Sequence, residues 1–168
     1  DGYEFDLVFS PTDNIDLAVS GLFIDPVYDS FPNSASGDLT GTTPTNIPED
    51  TISSNITWNW ENNGFDGYVR LSHLYASEVK LLENTAWQAI LEASGNGTKE
   101  QDTLNISAGI EKEGIGGGVL SLMFYGKNIN DDKWVTSSFP AVADPSSTTF
   151  FGYPNNYKSY GLMVNYSF

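Results

Sequence analysis

Cysteine is absent from these 168 residues, histidine occurs once, and Lys plus Arg number 7 against 22 Asp plus Glu. Without cysteine there is neither a disulfide framework nor a thiolate metal site, which is compatible with an oxidising compartment managed without disulfides. The formal charge of -15 argues against nucleic acid, because phosphate binding needs clustered cations; basic partners and captured cations stay open. Long apolar runs are missing too. None approaches the roughly 18 residues of a membrane helix, which excludes a helical span and leaves a membrane strand open. With one histidine and no thiol, no set of nucleophile, base and orienting group can be assembled, so no catalytic, cofactor or metal residue is assigned and the chain is not read as an enzyme. A length that suits one domain, with 39% hydrophobic and 14% aromatic residues, is enough for a core. The opening "DGYEFDLVFS" has no initiator Met, no basic segment and no apolar signal core; a processed chain or a piece of something longer is expected.

What the sequence does have is alternation. Helical spacing occurs once, in "SEVKLLENTAWQAILEAS", through Val79, Leu82, Ala86 and Ile90, and predicts a short helix inside a long loop. Elsewhere the period is two, the signature of strands with two different faces. "GYEFDLVF" sets Tyr3, Phe5, Leu7 and Phe9 against Glu4, Asp6 and Val8. "NIDLAVSGLFIDPVYDS" places Ile15, Leu17, Val19 and Phe23 together, and "TISSNITWNW" opposes Ile52, Ile56, Trp58 and Trp60 to Ser53, Asn55, Thr57 and Asn59. "FDGYVRLSHLYA", "DTLNISAGIEK", "GVLSLMFYGKN" and the terminal "YGLMVNYSF" continue the series. Seven strands are predicted. Their connections alternate: short at 11–14, 61–64 and 113–117, long at 31–50, 81–101 and 130–155. The glycine cluster "GIGGG" at 114–118 lacks the Lys and Ser/Thr of a phosphate loop and is read as one of the short turns.

Ten-residue strands with tight turns at one end and long loops at the other describe an outer-membrane barrel, and sandwiches rarely sort their loops so cleanly. The expected fold is all-β: an antiparallel meander of about seven strands forming part of a larger transmembrane β-barrel. Rings sit near strand ends at Trp58, Trp60, Phe65, Tyr75, Tyr166 and Phe168, as an aromatic girdle requires. Glu4, Asp6, Asp66, Arg70 and Glu111 fall on the face assigned to the lumen, and Leu104, Ile106, Leu120, Leu122, Phe124, Leu162 and Val164 on the face assigned to lipid.

Three segments carry a family resemblance. "YGLMVNYSF", with Tyr160, Leu162, Val164, Tyr166 and Phe168 in alternation, resembles the C-terminal assembly signal of outer-membrane barrels. "YGKNINDDKW" resembles the G-x-N-x-x-D segment that precedes the last strand in TonB-dependent receptors, and "YDSFPN...LTGTTPTNIPE" resembles their loop with a G-x-x-x-x-x-x-P element. Their order agrees with the last third of such a barrel, so residues 1–168 are read as its C-terminal portion, without the plug domain and the box that contacts TonB. The resemblance implies about 22 strands in the whole barrel, a bacterial outer-membrane location, and energised uptake of a scarce nutrient such as a metal chelate or saccharide. It also implies lipid, the rest of the barrel and plug, TonB and the barrel-insertion machinery as partners. The alternative, of a different class, is a secreted acidic β-sandwich that binds carbohydrate.

For either reading the ligand-contact candidates are the loop aromatics Tyr28, Phe31, Trp87, Trp134, Phe139, Phe150, Phe151 and Tyr153, able to stack on a ligand or on one another. Asp25, Asp29, Asp38, Glu49, Asp50, Asp131, Asp132 and Asp144 lie in or beside the long loops without EF-hand spacing, and are read as solvated charge rather than a calcium site. His73 is read as an ordinary strand residue, and the four Asn-x-Ser/Thr triplets as chance in an Asn-, Ser- and Thr-rich chain.

Overall fold

The computed structural model describes residues 1–96, 100–142, 146 and 148–168. Seven strands form one antiparallel sheet: β1 (Gly2–Thr12), β2 (Ile15–Ile24), β3 (Asp50–Asn62), β4 (Phe65–Ala76), β5 (Gln101–Ile115), β6 (Gly118–Lys127) and, after a two-stranded ribbon of β7 (Val135–Pro140) and β8 (Phe150–Pro154), β9 (Ser159–Ser167). The order across the sheet is β1-β2-β3-β4-β5-β6-β9, a meander with β1 and β9 at its edges. The single helix, α1 (Thr85–Ala93), lies between β4 and β5.

The short reversals are tight. Asn63 and Gly64 have φ of 52° and 69°, and Gly116 and Gly117 have 59° and 86°. Paired positive φ values make the two-residue turn whose twist matches that of the flanking strands, and Asn-Gly and Gly-Gly tolerate it. All of these turns lie at one end of the sheet; the connections that leave β2, β4 and β6 start from the other. Phe168 follows Ser167, which pairs with Val119 beside the Gly116–Gly117 turn, so the chain ends at the tight-turn end as its strand count predicts.

Several boundaries differ from the sequence reading, beginning with β1 and β3, which run on to Thr12 and Asn62 through residues read as turns. β2 stops at Ile24 rather than running to Ser30, because Pro26 has no N–H to donate to a ladder. β5 continues to Ile115 through a register shift after Glu113, where Gly114 adopts φ 80°. The loop after β6 contains the β7–β8 ribbon, which the reading of 130–155 as loop did not anticipate. The helix covers only Thr85–Ala93: Asn84 accepts from the amides of Ala86 and Trp87 and starts it there, leaving Val79 and Leu82 outside.

The register shows two chemically distinct faces. Tyr3, Leu7, Leu17, Val19, Ile52, Ile56, Trp58, Val69, Leu71, Leu104, Ile106, Ala108, Ile110, Leu120, Leu122, Phe124, Leu162, Val164 and Tyr166 share one. Glu4, Asp6, Asp16, Ser53, Asn55, Thr57, Asn59, Asp66, Arg70, Thr103, Asn105, Ser107, Glu111, Ser121 and Asn165 share the other, with Val8, Ala18, Leu22, Tyr68, Leu74, Val119, Met123, Tyr125 and Met163 among its apolar exceptions.

Candidate functional site

Burial on this sheet is inverted. Among the described residues the buried apolar side chains are Leu39, Leu81 and Leu91, none of them in a strand, whereas Thr57 and Thr103 in the sheet are buried. Trp58 is 51% exposed and Leu162 70%. Neither α1 nor the β7–β8 ribbon lies across the apolar face. A cavity of about 630 Å³ opens on the polar side, lined from β3, β4, β5, β6 and β9 by Asn59, Tyr68, Glu111, Ser121, Met123 and Asn165 among others. Two smaller hollows, lined by Glu4, Asp6 and Ser53 and by Asp16, Thr57 and Arg70, open on the same side, so the polar face is the hollowed, concave one and the apolar face the convex one.

The concave wall is hydrogen-bonded within itself. Arg70 donates from Nε to Thr57 Oγ1 at 3.0 Å, Ser121 to Glu111 at 2.7 Å, Ser10 to Asp16 at 2.7 Å and Asn59 to the other Asp16 oxygen at 2.9 Å. The charged side chains of this wall are mostly acids, Glu4, Asp6, Asp16, Glu61, Asp66, Glu111 and Glu113, with Arg70 and Lys127 as cations. On the convex face rings border the apolar band at both ends. Phe9, Trp58, Trp60, Phe65 and Tyr166 stand towards the tight turns, and Tyr3, Phe23, Tyr75 and Tyr160 towards the loops. Lys112 lies on this face but bends its ammonium over the Phe65 ring, 4.1 Å from its centroid, and donates to the Asn63 carbonyl at 2.9 Å. The charge thereby leaves the band while the stem covers it.

His73 also belongs to the convex face, next to the loop-end rings, and its Nε2 stands 2.6 Å from Asp102 Oδ1. Sequence reading missed this partner because the two are brought together only by the β4–β5 register. Ser54 is opposite His73, yet no hydrogen bond joins its hydroxyl to the ring, so the three residues form no coupled nucleophile and base.

The loops have their own cores. Leu39, Leu81 and Leu91 pack residues 25–49 against 77–96, and Gln88 Oε1 accepts from the amides of Leu81 and Leu82 at 3.2 and 3.0 Å. Asn46 donates to the Lys80 carbonyl at 2.9 Å. Loss of hydration in this layer, with Glu83 accepting from its hydroxyl, raises the pKa of the Tyr28 phenol above its ordinary value.

Asn128 organises the third loop. It is 3% exposed, and its side chain donates to the carbonyls of Asp132 and Asn156 and accepts from the Asp132 amide at 2.9 Å, while its own amide donates to Asn105 Oδ1. β6 does not pair with residues 101–105 of β5. The segment after Asn128 replaces it there: Ile129 donates to the Leu104 carbonyl, and Asn130 and Asp132 accept from the amides of Leu104 and Asp102. Asn128, Asn130 and Asp132 thus satisfy a strand end that β6 leaves unpaired; the Asp of the G-x-N-x-x-D segment is Asp131, whose carboxylate instead meets Lys133 at 3.1 Å. Asn128→Ala is expected to lose about 1–3 kcal/mol of local stability, since it orphans buried groups and forces alanine to φ 50°. Faster hydrogen exchange across 128–134 checks this, and unchanged exchange would contradict it.

The sequence-predicted aromatics do not converge on one point. Tyr28 and Phe31 lie against each other in the first loop, their centroids 5.0 Å apart and their rings tilted by 50°; Trp87 is half-buried on α1 and Trp134 half-buried just before β7. Phe139, Phe151 and Tyr153 do come together, on one face of the β7–β8 ribbon, with Phe139 5.5 Å from Phe151 and 6.0 Å from Tyr153. Phe150 pairs with Pro140 on the ribbon's other face. Of the loop acids, Asp50 is the first residue of β3 and Asp144 lies outside the described residues; among the described residues no cluster of His, Cys, Asp and Glu has the form of a metal site.

No family model matches the chain, and no curated protein or solved structure matches it. Fold and surface together define an all-β chain whose seven-stranded antiparallel sheet turns an apolar face outward and a polar one inward.

Proposed function

We propose that this chain is the C-terminal part of a TonB-dependent receptor in a bacterial outer membrane, where the rest of the barrel closes the sheet and a plug and TonB energise uptake of a scarce nutrient. The observation that carries the reading is the inverted burial: a convex face of Leu, Ile, Val and rings is stable where its surroundings are hydrocarbon, and the concave polar wall where they are water or plug. The dimensions support it. Phe65 and Tyr75 are ten residue steps apart on β4, about 33 Å along the strand at about 3.3 Å per residue. At a tilt of about 40° that is a height of about 25 Å, the height of the apolar band in such barrels. The soluble sandwich offers no comparable account, since it needs a second sheet over the apolar face.

Cell fractionation tests the location, and recovery in the aqueous fraction would end the proposal. The terminal strand supplies a sharper test. Phe168 follows the last ladder pair, its ring 6.1 Å from that of Tyr166, and in the receptor it acts chiefly as the mark read by the insertion machinery. Deleting Phe168 from the complete receptor is expected to lower the inserted amount severalfold while molecules already inserted melt as before. Ser167→Ala, on the opposite face, is expected to change neither. Normal insertion of the truncated protein would remove the assembly-signal role.

A further inference from the structure

We propose that the β7–β8 ribbon is a capture site for a neutral saccharide, which rests on the receptor reading only for where the sugar is delivered. Phe139, Phe151 and Tyr153 present their rings on one face of the ribbon, 41%, 57% and 62% exposed. Phe139 is inclined by 37° to Phe151 and by 38° to Tyr153, which makes a shallow trough rather than a closed stack. Three large rings kept in water are costly unless something covers them.

The chemistry of the trough selects its occupant. Its floor is aromatic, and its polar groups are hydroxyls: Ser137 stands opposite Tyr153 and shares the face, and Tyr153 adds its phenol. The strand residues of that face, Ser137, Phe139, Phe151 and Tyr153, carry no charge. A charged ligand would lose hydration here without gaining a counter-charge, and the chain's -15 repels anions in particular. A sugar ring matches both parts, its C–H face on the rings and its hydroxyl rim on Ser137 and Tyr153.

The trough is also held in shape. Asn155, at the end of β8 and 7% exposed, accepts from the Trp134 amide at 3.1 Å and donates to the Asp132 carbonyl at 2.9 Å, while its own amide donates to the Trp134 carbonyl. Thr136 and Ser138 donate their hydroxyls to the Tyr153 and Phe151 carbonyls across the ribbon. Asn128 ties this clasp to β5 by way of Asp132 and Asn156. A platform on a fixed base loses little entropy on binding.

The complete protein, from whichever cell fraction holds it, is titrated calorimetrically with neutral hexasaccharides of α- and β-linked glucose, of mannose and of xylose, and with ferric citrate as the charged comparison. At least one hexasaccharide is expected to bind and ferric citrate not to compete with it. Phe139→Ala is expected to weaken that binding about tenfold or more, and Tyr153→Phe, which keeps the ring and removes the hydroxyl, about threefold. Protease resistance of the ribbon in each variant separates lost contact from lost fold. Binding of no hexasaccharide, or binding indifferent to Phe139→Ala and Tyr153→Phe, overturns the proposal. Ring-dependent sugar binding by a protein found in the aqueous fraction would uphold this site and end the receptor reading; membrane recovery without sugar binding would do the reverse.

Discussion

Leu122→Arg is expected to destabilise the membrane-inserted protein by about 2–4 kcal/mol, while Ser121→Arg, one residue away, costs less than about 1 kcal/mol. Leu122 lies between Ile110 and Val164 in the middle of the convex band, where an arginine in the proposed setting must be dehydrated or drag water into the hydrocarbon. Ser121 faces the cavity and donates to Glu111, so a guanidinium there gains an acidic neighbour in a wet space. Reversible urea unfolding in lipid vesicles measures both. Equal losses would show that the faces are wrongly assigned, and a neutral Leu122→Arg would mean that water, not lipid, meets the convex side.

Gly109→Val is expected to cost about 1–3 kcal/mol, against the usual tendency of a β-branched residue to strengthen a strand. Gly109 pairs directly with Tyr68, and a Cβ built on it would lie 2.4 Å from that ring. The same arrangement recurs at Phe5–Gly21, Trp60–Gly67, Tyr125–Gly161 and Tyr160–Gly126, each a direct cross-strand pair. A ring laid over a glycine covers bare backbone and fixes register at that rung, since a slip by one residue would set the ring against a side chain. Combining Gly109→Val with Tyr68→Ala is therefore expected to cost less than the sum of the two alone, by about 0.5–3 kcal/mol. Additive losses would show that ring and glycine are independent.

The sheet was legible because its physics is local. β4 occupies Phe65–Ala76 as its alternation predicts, and Asn63-Gly64 announces its own turn. The face of every sheet strand follows from parity once the strand is recognised. What sequence reading missed depends on contacts between distant residues. The ribbon strands β7 and β8 are six and five residues long, too short for alternation to stand out, and Pro140 and Pro154 at their ends read as breakers. Val79 and Leu82 fit a helical period but lie before Asn84, whose cap decides where the helix starts. The trough of Phe139, Phe151 and Tyr153 was present as three separate candidates; only the register of a ribbon joins them. Nothing in the sequence paired His73 with Asp102, which are 29 positions apart.

The placement of Leu39, Leu81 and Leu91 outside the strands separates two kinds of selection on this chain. The sheet is held by its ladders, its turns and the medium around it, whereas the first two loops are held by a small core of their own. Substitutions within these loops therefore leave the wall beneath them intact, and the loop layer can be remodelled without the sheet first having to refold.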